Sequence, residues 1–179
     1  MKSILSMLLI LSLAVATPLP AQDGDDEVDF LALAALMLRD GNIDRAIIAL
    51  DQFDPTAEDA DAVRYYTLRG MAHMRRNELE PARDALLQAV GAGEAEPVVY
   101  VYLAQVNYKL EDYRAAAGHF LRIKTLAPTS TIRSAAEYDA AAALMKVQDW
   151  TMASGVLEEF RTSHPDHELN ADATKQLAY

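Results

Sequence analysis

The chain has 179 residues, 51% of them hydrophobic, with 16 Lys+Arg against 27 Asp+Glu and a net charge of -11. That length carries one or two domains with a real core, and so acidic a balance argues against a nucleic-acid partner or polybasic docking onto anionic lipid. The absence of cysteine excludes disulfides, thiolate metal sites, thiol catalysis and lipid attachment at cysteine. Alanine-rich helix formers dominate, and only seven glycines and seven prolines interrupt them, which predicts an all-α protein.

The chain opens with MKSILSMLLILSLAVATPLPAQ. A positive Lys2, an apolar run over 4–16 and small Ala14 and Ala16 in A-x-A spacing read as a secretory signal peptide over 1–21. The run is short for a membrane span, which needs about 20 apolar residues. Cleavage is expected after Ala16 or Ala21, leaving an exported chain of net charge -12 (15 basic groups against 27 acidic) with no membrane insertion once the signal is removed. Export without cysteine suits the periplasm of a Gram-negative bacterium. Residues 22–28 form an acidic mature N-terminus, and DGDDEVD at 23–29 either is a tail for a basic partner or solvates the terminus and favours the N-terminal end of the first helix.

Four helical hairpins are expected from there, over about 27–62, 63–96, 97–133 and 134–167. Each first helix carries a small residue: Ala34, Gly70, Ala104 and Ala141. A glycine, polar or charged turn follows: GNI at 41–43, NEL at 77–79, EDY at 111–113 and QDW at 148–150. Each second helix carries another small residue, Ala46, Ala82, Ala116 or Ala153, at intervals of 36, 34 and 37. Four residues on stands a large apolar side chain: Leu50, Leu86, Phe120 and Leu157. Pro55, Pro128 and Pro165 close three units, and GAGEAEP ends the second. The small residues let the two backbones approach closely, with Tyr100, Tyr113 and Phe120 filling the surrounding volume in the third unit. After Pro165, Leu169, Ala173 and Leu177 share one side of a further helix over 168–179, either a cap or the first helix of a truncated fifth repeat.

This pattern resembles the tetratricopeptide repeat, with its period of about 34 residues and its W-x₂-L-G-x₂-Y…A-x₃-F…P signature. Tyr100, Leu103, Ala104, Ala116, Phe120 and Pro128 match best, and the likeness runs from about Asp29 to the C-terminus. The resemblance implies an α-solenoid of about four repeats plus a C-terminal helix. The junction HPDHELNADA is also similar to linkers in bacterial envelope proteins of the Tol–Pal coordinator and outer-membrane assembly type, although the coiled coil or lipidation cysteine of those proteins is missing here.

No cofactor, metal or catalytic set is expected. Pro165 separates His164 from His167, adjacent Glu158 and Glu159 point apart, and no phosphate loop, nucleophile elbow or metalloprotease helix is present. His73 and His119 read as packing or surface residues. In the tetratricopeptide family the exposed side of each first helix lines a concave face that takes a protein or peptide ligand. Carried over, that face comprises Leu31, Ala35, Leu38 and Arg39; Arg64, Thr67, Met71, Met74 and Arg75; Val98, Val101, Gln105, Tyr108 and Lys109; Tyr138, Ala142, Met145 and Lys146. Met71→Glu or Tyr108→Glu is therefore expected to abolish partner capture without unfolding. Arg39, Arg75, Lys109 and Lys146 form a basic row that either complements helix C-termini or recognises carboxylates. The family's carboxylate clamp is not matched, because Leu31, Ala35, Thr67 and Met71 occupy its places. The function expected is an interaction adaptor of the bacterial cell envelope. The alternative is the N-terminal structural segment of a longer array, or a scaffold that associates with itself as a homo-oligomer.

Overall fold

A computed structural model of the chain describes residues 28–177, so the signal-peptide reading and all but the end of the acidic N-terminus lie outside the described residues. Within them the chain is all helical: α1 (Phe30–Arg39), α2 (Ile43–Leu50), α3 (Ala62–Arg75), α4 (Leu79–Ala92), α5 (Pro97–Lys109), α6 (Tyr113–Leu126), α7 (Ile132–Lys146), α8 (Trp150–Ser163) and α9 (Asn170–Leu177). α1–α2, α3–α4, α5–α6 and α7–α8 are the four expected hairpins, and α9 is the terminal helix. α3 and α7 begin one and two residues ahead of the unit bounds read from sequence, at Ala62 and Ile132.

Short-range chemistry fixes where helices begin. The side chains of Asp29, Asp61, Asp112 and Asp149 accept the backbone N–H three residues on, at 2.8, 2.9, 3.1 and 3.3 Å, which satisfies donors the first turn leaves orphaned. Pro97 opens α5 at a position where its missing N–H costs nothing. Within each hairpin one residue adopts the left-handed backbone: Gly41, Asn77, Glu111 and Gln148, with φ of 77°, 59°, 62° and 59°. Each lies seven positions after the small residue of its first helix and five before that of its second. α6 and α8 end alike, at Ala127 and His164, each just before a proline and each sending its N–H back to the carbonyl four residues earlier.

Each helix packs chiefly on its neighbours in chain order, and α3 also touches the first helices α1 and α5. The small residues expected at the hairpin crossings are all buried. Gly70 shows how tight one crossing is: a Cβ there would sit 2.6 Å from Leu86 Cγ and 3.3 Å from the Ala82 carbonyl oxygen. The core runs as successive clusters along the array, from Leu31, Leu38 and Leu50 through Leu86 and Leu103 to Leu157 and Phe160. This corrects the sequence reading of α1. Leu31 and Leu38, expected on the open face, are 3% and 2% exposed, because with Ala34 they form the stripe of this helix that packs inward against α2 and α3. The terminal helix, expected from residue 168, begins at Asn170, and the residues before it form turns closed by His167 N–H to His164 O and Asn170 N–H to His167 O.

Candidate functional site

Among the first helices, α1 and α5 both touch α3, whereas α5 and α7 stand further apart. A cavity of about 380 Å³ opens in that gap, walled by Gln105, Tyr108 and Lys109 of α5, Phe120 of α6, and Asp139 and Ala142 of α7. Helical spacing explains the convergence: 105, 108 and 109 share a face of α5, and 139 and 142 share one of α7. Four of the six residues belong to the face expected from sequence. Phe120 was assigned to the core, and Asp139 was not singled out, because an aspartate in an alanine-rich helix reads as a solvated residue.

Tyr108 is braced in its place by Tyr113, whose ring meets it edge-on at 5.0 Å, and the pair packs against Ala116 and Ala143. Asp139 is exposed at the opening and has no ion pair or side-chain hydrogen bond among the described residues; partial desolvation by the neighbouring walls pushes its carboxyl above the usual aspartate range. Lys109 is exposed at the same opening without pairing to it.

The other expected groove residues distribute differently. Arg64 and Thr67 of α3 meet Val98 of α5 around a second cavity of about 430 Å³. Arg64 approaches Asp29 at 3.7 Å, and the Thr67 hydroxyl donates to the Val63 carbonyl at 2.7 Å. Met71 and Met74 are half-buried against the first and second core clusters, and Val101 packs against the third. Tyr138 lies 5.8 Å from the Phe160 ring, and its hydroxyl accepts from Gln176 of α9 at 2.7 Å. Met145 faces Trp150 and Leu177 across a third cavity of about 310 Å³. The two substitutions expected to spare the fold fall on half-buried side chains. Met71→Glu places a charge against the first core, and Tyr108→Glu removes the ring that Tyr113 packs on.

The basic row is also resolved into its parts. Arg39, Arg75, Lys109 and Lys146 are all exposed, each in the last turn of its helix, where a cation complements the macrodipole. Arg39 pairs with neighbouring Asp40 at 3.2 Å. Of the histidines, His73 Nδ1 lies 2.6 Å from Glu78, and burial beside Tyr100 pushes the His119 imidazole below its ordinary range. His164 and His167 flank Phe160 at 5.3 Å each, and His164 Nε2 lies 2.9 Å from Glu137, a buried carboxylate the sequence reading passed over. No group of three or more potential metal ligands occurs among the described residues, and none of their helices is long and apolar enough to cross a membrane.

No protein-family model matches the sequence, and no curated protein matches it. Solved structures do match in fold. YrrB, described as a TPR protein with an unusual peptide-binding site, superposes with a TM-score of 0.68 at 20% identity, over 85% of this chain and 74% of its own. A point mutant of MamA gives 0.66 at 15% identity, over 83% and 78%. TPR-like repeats of a putative kinesin light chain from Podosopora anserina give 0.64 at 17%, over 83% and 82%. The chain folds as a tetratricopeptide-type α-solenoid.

Proposed function

We propose that this chain is an exported interaction scaffold of the bacterial cell envelope, which holds a peptide or partner helix across the face of its first helices. The carrying observation is the convergence of Gln105, Tyr108 and Lys109 with Asp139 and Ala142 around one 380 Å³ opening between α5 and α7. An opening of that size, apolar at its base with a few polar groups at its mouth, has the make-up of a ligand site. YrrB, of the same fold, is described as having a peptide-binding site. Rigid helices present the opening preformed, so little ordering cost falls on the protein side. A second cavity, at Arg64, Thr67 and Val98 near the start of α5, involves further residues of the first helices.

The test places a photo-crosslinking residue at Gln105, or at exposed Ile48 on α2, in cells carrying the full gene. The expected result is one discrete envelope partner captured from position 105, lost when Ala142→Trp fills the opening, and not captured from position 48. Equal capture from both positions overturns the groove. A mass that retains residues 1–16 in a cytosolic fraction overturns export.

A second reading, self-association, is favoured by the two ends of the array. Leu36 on α1 is 39% exposed, whereas its counterparts Ala72, Val106 and Ala143 are fully buried against the preceding unit. Trp150 at the start of α8 is 60% exposed, whereas its counterparts Ile43, Leu79 and Tyr113 are half-buried under the following unit.

A further inference from the structure

We propose that the opening between α5 and α7 receives a lysine or arginine side chain of the bound peptide, with the Asp139 carboxylate as its counter-ion. The inference rests on the peptide-binding reading and names the chemistry of the segment bound there.

Three observations carry it. Asp139 lines the opening, and no cation or hydrogen-bond donor of the described residues satisfies its carboxylate; Lys109, on the same rim, makes no ion pair with it. Asp139 is exposed, so an incoming side chain can reach its carboxylate, and the neighbouring walls desolvate it enough to raise its pKa with no cationic neighbour opposing the shift. The walls, Phe120, Tyr108 and Ala142, are apolar and suit the aliphatic stem of a long basic side chain, whose charged head then reaches the carboxylate. The Tyr108 ring adds a face on which a guanidinium or ammonium can lie. The whole chain carries a net charge of -11, so its field draws cationic segments toward it. An acidic side chain in the same place would meet Asp139 as a like charge and find only the exposed Lys109 in compensation.

The test uses the full exported chain and four fluorescein-labelled decapeptides that share an alanine–leucine host and differ at one central position: Lys, Arg, Gln or Glu. Anisotropy titrations are expected to show the Lys and Arg peptides binding about tenfold tighter than the Gln peptide, the scale of one charge-assisted hydrogen bond. Asp139→Asn, nearly isosteric and at an exposed position, is expected to fold as well as the parent and to erase that preference. Asp139→Lys is expected to turn it toward the Glu peptide. Carbon NMR of the parent should also show the Asp139 carboxyl pKa falling when the Lys peptide is bound. If all four peptides bind equally, if the Glu peptide binds best to the parent, or if the Lys preference survives in Asp139→Asn, the counter-ion assignment is overturned while the groove stands. If no peptide binds, both are overturned.

Discussion

Gln148 holds the same left-handed backbone as Gly41, but with a Cβ that crowds the following carbonyl. Such a residue costs about 1–2 kcal/mol relative to the right-handed region, less for Asn77, whose short amide tolerates it. The tight turn between antiparallel helices demands the conformation, since a helix that simply continued could not reverse. Gln148→Gly is therefore expected to stabilise the chain by about 0.5–1 kcal/mol, the relief being partly offset by the greater freedom of glycine when unfolded. A urea midpoint that rises confirms it, and an unchanged or lowered midpoint refutes it. The turns themselves were legible as polar breaks at 41–43, 77–79, 111–113 and 148–150, but their handedness was not, because glutamate and glutamine carry no preference for it. The same limit applies to Asp139, since residue type alone cannot say which aspartate faces a cavity.

α7 is the element on which the C-terminal part of the array depends. Its Glu137 side chain is only 4% exposed; Arg133 Nε donates to one carboxylate oxygen at 2.7 Å, and His164 Nε2 lies 2.9 Å from the other. Arg133 also donates to the Pro128 carbonyl at 3.0 Å, and the Asn170 side-chain amide donates to the His164 carbonyl at 3.1 Å. One carboxylate thus ties the α6–α7 joint, α7, the end of α8 and the start of α9. Removing it leaves the Arg133 guanidinium partly buried and uncompensated and the His164 ring nitrogen without its partner, so Glu137→Ala is expected to cost about 3 kcal/mol. In an array whose units contact only neighbours the damage stays local. Hydrogen exchange should quicken in α7–α9 and leave α1–α3 as before; uniform acceleration, or none, refutes the assignment. The helices themselves were readable from alanine spacing and proline stops. Glu137 was not, because among Ala135, Ala136 and Ala140 it has the pattern of a solvent-facing residue, and its partner lies 27 positions away.

For the whole molecule, the consequential surfaces are the two ends. Among the described residues, each presents a face that elsewhere in the array is covered by the adjoining unit, and the proposed self-association would pair α1 of one copy with the Trp150 region of another. Sedimentation over a wide range of concentration is expected to show association that Leu36→Gln and Trp150→Gln each weaken; a chain monomeric throughout refutes self-association. Periodicity could not flag these faces, because Leu36 and Trp150 carry the same apolar character as their covered counterparts. The spacing of the small residues holds a different lesson. Ala34 to Ala46, Gly70 to Ala82, Ala104 to Ala116 and Ala141 to Ala153 each span twelve positions, while the steps onward to Gly70, Ala104 and Ala141 span 24, 22 and 25. All length variation therefore resides in the joints. Insertions and deletions are absorbed there, each hairpin behaves as an exchangeable cassette, and the pitch of the superhelix can be retuned without rebuilding any of its rungs.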